Sequence, residues 1–158
     1  MVTRAQQRQE PSTDHPRLDT LPEWPVDTIA VLVTTDGGPH AIPVSWPVRA
    51  GDHRILLSLK FDRGSLARLR ERPEVALLIL GGGDVALCAR GNARVVADPM
   101  PTARDYVAVA IEVEAIDDHR QSAFTVAAGI QRTVLDPGEL RYLEERVAAL
   151  RELAAGLD

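Results

Sequence analysis

Apolar and polar positions change their period several times along the chain. Residues 28–35 are β-branched and apolar, and Asp36-Gly37-Gly38 after them is a turn of the hairpin kind. The run Pro39 to Arg49 alternates, with Ile42, Val44, Trp46 and Val48 on one face. Pro43 and Pro47 lie in one phase of this run, so the edge they face lacks two donors; a bulge, a barrel split or a ligand is expected there. Gly51-Asp52 turns the chain into a third strand over 54–61. Ile55, Leu57, Leu59 and Phe61 share one of its faces, and Arg54, Leu56, Ser58 and Lys60 the other.

A short helix is expected over 64–72, capped by Asp62 or Gly64, anchored by Leu66 and Leu69 and stopped by Pro73. Residues 75–80 are continuously apolar, as in a strand buried on both faces. Gly81-Gly82-Gly83-Asp84 turns the chain into a strand over 85–97, kinked or bulged at Gly91. After Asp98-Pro99-Met100-Pro101, a sixth strand over 106–116 sets Val107, Val109, Ile111 and Val113 against Ala108, Ala110, Glu112 and Glu114. Asp136, Pro137 and Glu139 then start a helix. Its stripe of Leu140, Leu143, Val147, Leu150, Ala154 and Leu157 is expected to pack on the barrel or on a second subunit. Six strands with no βαβαβ alternation predict a small antiparallel barrel with a terminal helix and exclude a Rossmann domain.

The 158 residues fit one domain, 26–158, preceded by a flexible arm, 1–25, rich in Gln and Pro and poor in apolar surface; Trp24 is placed to pin the arm's end to the body. A net charge of −5 argues against nucleic-acid or anionic-membrane partners, and six aromatic residues argue further against an oligonucleotide-binding barrel. One cysteine excludes a disulfide framework, and neither a membrane span nor a secretion signal is visible, so a cytoplasmic protein is expected. Charge is distributed unevenly: Arg49, Arg54, Lys60, Arg63, Arg68, Arg70 and Arg72 face only Asp52, Asp62 and Glu71 between positions 49 and 72. This segment is locally positive in an acidic protein and includes a helix start, which together suit a small anion.

Three stretches resemble the pyridoxamine-phosphate-oxidase-like, flavin-binding split-barrel family. Residues 29–44, with Pro39-His40 opening the second strand and Pro43-Val44 following, are similar to its first hairpin. Residues 55–58, 63–69 and 72–78 resemble its strand, phosphate-binding turn, short helix and buried strand, and Gly91-Asn92-Ala93 its Gly-x-Ala strand. The resemblance implies a mostly β, six-stranded antiparallel Greek-key split barrel, a short helix between strands three and four, and a homodimer binding FMN or a deazaflavin coenzyme between barrels. It also implies backbone of Pro43, Val44 and Ser45 along the ring system. Ser58, Lys60, Arg63, Ser65 and Arg68 would lie around the phosphate, with His40 nearby. Ser65 stands where the family commonly has a lysine, so Arg63 or Lys60 must supply that charge.

The implied activity is a flavin-dependent oxidoreductase passing hydride to a small-molecule substrate. The alternatives are a binding module for a flavin, deazaflavin or haem, and a dimeric barrel that has lost its cofactor. No segment for holding a vitamin B6 substrate is recognisable. His40, His53 and His119 lack metal-ligand spacing, Cys88 reads as a small buried residue, and Trp46 reads as packing or dimer contact. Gly81-Gly82-Gly83 lacks the context of a nucleotide loop, and Ser45 and Ser122 lack a nucleophile elbow.

Overall fold

A computed structural model describes residues 15–157. The strands are β1 (Arg17–Leu18), β2 (Ile29–Thr35), β3 (Pro39–Ser45), β4 (Val48–Arg49), β5 (Arg54–Lys60), β6 (Glu74–Gly81), β7 (Val85–Ala97) and β8 (Tyr106–Asp118). Helix α1 (Gly64–Glu71) lies between β5 and β6, and α2 (Pro137–Gly156) follows β8. The six long strands fall where the sequence period places them, and β1 and β4 are two-residue additions.

All pairings are antiparallel, in the order β3-β2-β6-β7-β8-β5-β4, with β1 on β8. The ribbon curls so that β3 and β5, far apart in this order, approach without pairing. A half-open barrel results. Its curl is helped by a register shift at Arg90/Gly91, the expected bulge. A Cβ at position 91 would lie 2.0 Å from the Glu112 carbonyl oxygen, so only glycine lets β7 and β8 come this close.

Apolar side chains form two layers. Inside the curl lie Leu32, Ile55, Leu57, Leu59, Leu77, Ile79, Leu87, Val107, Val109 and Ile111, joined by Leu66 and Leu69 of α1. On the outer face, Leu56, Ala108 and Ala110 pack against Leu143, Val147 and Leu150 of α2. The alternation of β5 and β8 thus serves both layers, and the alanines of β8 give α2 room to lie close. Asp136 caps α2 by accepting a hydrogen bond from the Gly138 N–H at 2.8 Å. The terminal stripe packs on the barrel.

Three local expectations are corrected. The run 39–49 is not one strand: Trp46, at φ 51°, takes the left-handed region next to Pro47 and separates β3 from β4. Phe61 lies beyond β5 and is exposed, because the chain turns at Lys60 with the Arg63 N–H donating to the Lys60 carbonyl at 3.0 Å. The N-cap of α1 is Arg63, without a side-chain cap, rather than Asp62 or Gly64.

The described part of the expected arm, 1–25, makes contacts with the barrel. Besides the β1–β8 pairing, the buried Leu21 bonds through its N–H to Asp52 O and through its carbonyl to Arg49 Nε, both at 2.9 Å. Trp24 Nε1 donates to the Pro47 carbonyl at 2.8 Å, pinning the segment as anticipated. Backbone pairing of this kind requires no apolar composition, so composition alone misses it. Residues 1–14 lie outside the described residues.

Candidate cofactor cleft

The cleft arises where β3 has no neighbour on its outer side. Proline lacks an N–H, so Pro39 and Pro43 fit only where the strand faces away from β2, and β3 therefore ends the sheet. Opposite this edge runs the C-terminal half of β5. Between them is a cleft of about 90 Å³. Six residues expected at the site line it: Pro43, Val44 and Ser45 from β3, Ser58 and Lys60 from β5, and Arg63 from the turn before α1.

The other three expected residues lie apart from it. His40 Nε2 is 2.9 Å from Asp36 Oδ1 in the β2–β3 hairpin. That hydrogen bond, helped by the charge field of Arg68, holds the Asp36 carboxyl below its ordinary pKa. Arg68 Nε donates to Thr34 Oγ1 at 2.9 Å, and its guanidinium folds back over Gly64 at the start of α1. Ser65 is buried against the barrel, its hydroxyl without a hydrogen-bond partner among the described residues. The basic segment is thus divided. Lys60 and Arg63 serve the cleft, whereas Arg68 serves the hairpin.

Four residues not expected there complete the lining: Ile42 of β3, Leu59 of β5, Tyr106 of β8 and Arg146 of α2. Arg146 is only 7 % exposed, and its Nε and Nη1 have no hydrogen-bond partner among the described residues. Its guanidinium carbon lies 3.8 Å from the Tyr106 ring centroid and 4.8 Å from that of Tyr142. Such stacking is worth about 0.5–2 kcal/mol, while a buried unsatisfied donor costs about 1–3 kcal/mol.

The Tyr142 hydroxyl donates to Asp105, which pushes the phenol pKa up to about 12 and the Asp105 carboxyl down. Asp105 also feels Lys60 and Arg146, so this pair fixes the rim beside both cations. One sequence signal pointed to Arg146: it sits within the apolar stripe, three residues after Leu143 and four before Leu150.

The cleft opens toward a groove of about 890 Å³ between α2 and the segment 130–136; Ser45, Tyr106 and Arg146 line both. Among the described residues, no group of three or more His, Cys, Asp or Glu side chains is placed to hold a metal ion. No helix among them is long and apolar enough to cross a membrane.

No protein-family model matches the chain, and no curated protein matches it. Solved structures do. HupZ of Group A Streptococcus superposes with a TM-score of 0.51 at 13 % identity, covering 65 % of this chain and 90 % of that one. A Clostridium acetobutylicum protein related to general stress protein 26, of the pyridoxinephosphate oxidase family, gives 0.50 at 15 % identity over 59 % and 80 % of the two chains. An F420 reductase gives 0.50 at 17 % identity over 58 % and 90 %. The fold is that of the pyridoxamine 5'-phosphate oxidase-like split barrels.

Proposed function

We propose that the chain is a flavin-type oxidoreductase that works as a homodimer and holds FMN, or a deazaflavin coenzyme, in the cleft between β3 and β5. One observation carries this reading: the cleft pairs an open strand edge with Lys60, Arg63 and Arg146, and no carboxylate lines it. A flavin nucleotide needs both parts, a backbone edge for the polar rim of its ring and convergent cations for its phosphate. Residues 43–45 would face the ring, and Ser58, Lys60 and Arg63 the phosphate. A bound flavin supplies hydride transfer; the protein positions it and fixes the charge around it.

The inner space of about 90 Å³ falls short of the ~300–1,000 Å³ of small-molecule pockets. With the adjoining groove, whose lining includes Asp27, Asp136, Glu139 and Glu144, it reaches that range, and a second copy would cover the opening. Phe124, Ile130, Val134 and Leu135 leave apolar surface uncovered along the segment after β8, Leu135 being 92 % exposed, as a partner face requires. On this reading the protein acts in the cytoplasm, where an unpaired Cys88 is compatible with the redox environment.

A second reading is a binding module without turnover. It is favoured by the absence of His, Cys, Asp and Glu from the cleft lining. Absorbance of the purified protein, with mass spectrometry of any released ligand, tests both. A flavin or deazaflavin band bleached by a nicotinamide donor and restored by an acceptor supports the oxidoreductase. A band that never bleaches leaves the binding module. A colourless protein whose melting temperature neither coenzyme raises overturns both, because a ligand bound only to the native state must stabilise it.

A further inference from the structure

Several arginines around the barrel have a carboxylate partner. Arg54 reaches Glu112, Arg90 reaches Asp117 and Arg120 reaches Asp118, each at 2.8 Å. Arg146 is more deeply buried than any of these, yet no carboxylate lies within ion-pair distance of it among the described residues. Asp105, whose carboxyl feels the charge of Arg146, already accepts a hydrogen bond from the Tyr142 hydroxyl. A buried cation normally has a partner, so the cleft's ligand is the group that remains to supply one.

We propose that Arg146 is the anion-recognising residue of the cleft and that, with Lys60 and Arg63, it takes the phosphate-monoester end of the ligand. The inference rests on the cleft being a ligand site, and it names a helix the sequence did not connect with that site. The Tyr106 and Tyr142 rings pack against the guanidinium, and its Nε and Nη1 remain without a partner among the described residues. A guanidinium held in this way is a donor to the oxygens of a phosphate or carboxylate. Three cations in a lining without acidic groups favour a dianion over a monoanion, which selects the phosphate monoester.

The test titrates FMN and riboflavin, which lacks the phosphate, against the wild-type protein, Arg146→Met and Arg146→Lys, following binding by flavin fluorescence. Methionine keeps a long apolar stem over the tyrosines, and lysine keeps the charge without the fork. FMN affinity is expected to fall about 30-fold or more in Arg146→Met and about 5-fold or more in Arg146→Lys, with riboflavin affinity unchanged. FMN affinity within a factor of about 3 of wild type in both variants, or an equal loss for riboflavin, overturns the assignment. If Arg146→Met does not fold, the Arg146→Lys comparison decides.

If the wild type binds neither flavin, the flavin reading fails and inorganic phosphate decides the role of Arg146. A melting temperature raised by phosphate in the wild type but not in the folded variant upholds it. An equal shift in both, or none in either, overturns it.

Discussion

The two faces of this curled sheet are filled in different ways. Inside, large aliphatic side chains from β2, β5, β6, β7 and β8 make a deep layer. Outside, β8 turns alanines toward α2, the layer is thinner, and its margin admits a buried arginine stacked on two tyrosines. An interior packed with aliphatic side chains is stabilised mainly by volume and apolar area. A layer open at one edge can hold a charge, provided aromatic faces and a ligand attend to it. The candidate chemistry sits on the second layer, at the edge where the first one ends.

The severest way to break this contrast is at the point that lets the sheet curl. Gly91→Ala would drive a Cβ into the Glu112 carbonyl; urea unfolding should show a loss of about 3 kcal/mol or more, or no folded protein. Next comes truncation within each layer. Leu57→Ala, deep inside, should cost about 4 kcal/mol, and Leu150→Ala, under a helix that can settle inward, about 2 kcal/mol. Equal costs would show that the outer layer is as rigid as the inner.

Arg146→Met should change stability by less than about 1 kcal/mol, or raise it, since a buried charge without a partner is replaced by an apolar stem. A loss above about 2 kcal/mol would make this arginine part of the packing rather than part of the site.

The smallest effect is expected at the rim and depends on pH. The phenol of Tyr142, raised to about 12, stays protonated in the folded protein at a pH where the unfolded chain has begun to lose its proton. Its contribution is complete below the ordinary tyrosine value near 10 and disappears as pH rises through about 12. The stability gap between wild type and Tyr142→Phe should therefore narrow across that interval. A phenolate absorbance titration showing Tyr142 ionising with exposed tyrosines would remove the Asp105 bond from the account.

Periodicity made the order of strands and both helices legible, because the alternation of Ile55, Leu57 and Leu59 or Val107, Val109 and Ile111 is imposed by one buried face. The left-handed Trp46 was not legible: Pro47 was visible, but only the meeting of β3, β4 and the docked Trp24 shows where the bend falls. The site was half legible. Pro43, Val44, Ser45, Ser58, Lys60 and Arg63 meet because two neighbouring strand ends carry them. Arg68 went elsewhere because the last turn of α1, which carries it, places its Nε on Thr34 Oγ1. Arg146 was hidden by distance, since its relation to residue 60 depends on how a helix 80 residues later crosses the sheet. Among charges within an apolar stripe, sequence does not distinguish one that reaches solvent from one that remains inside.

The tryptophans offer a practical benefit. The protein has two, and both stand at the same corner: Trp24 is bonded to Pro47, and Trp46 forms part of the mouth of the large groove. The indole emission of the unlabelled chain therefore comes from this one corner, beside the large groove. Any molecule entering it, coloured or not, should register as a change in that light, which gives a screen for occupants before anyone knows what to look for.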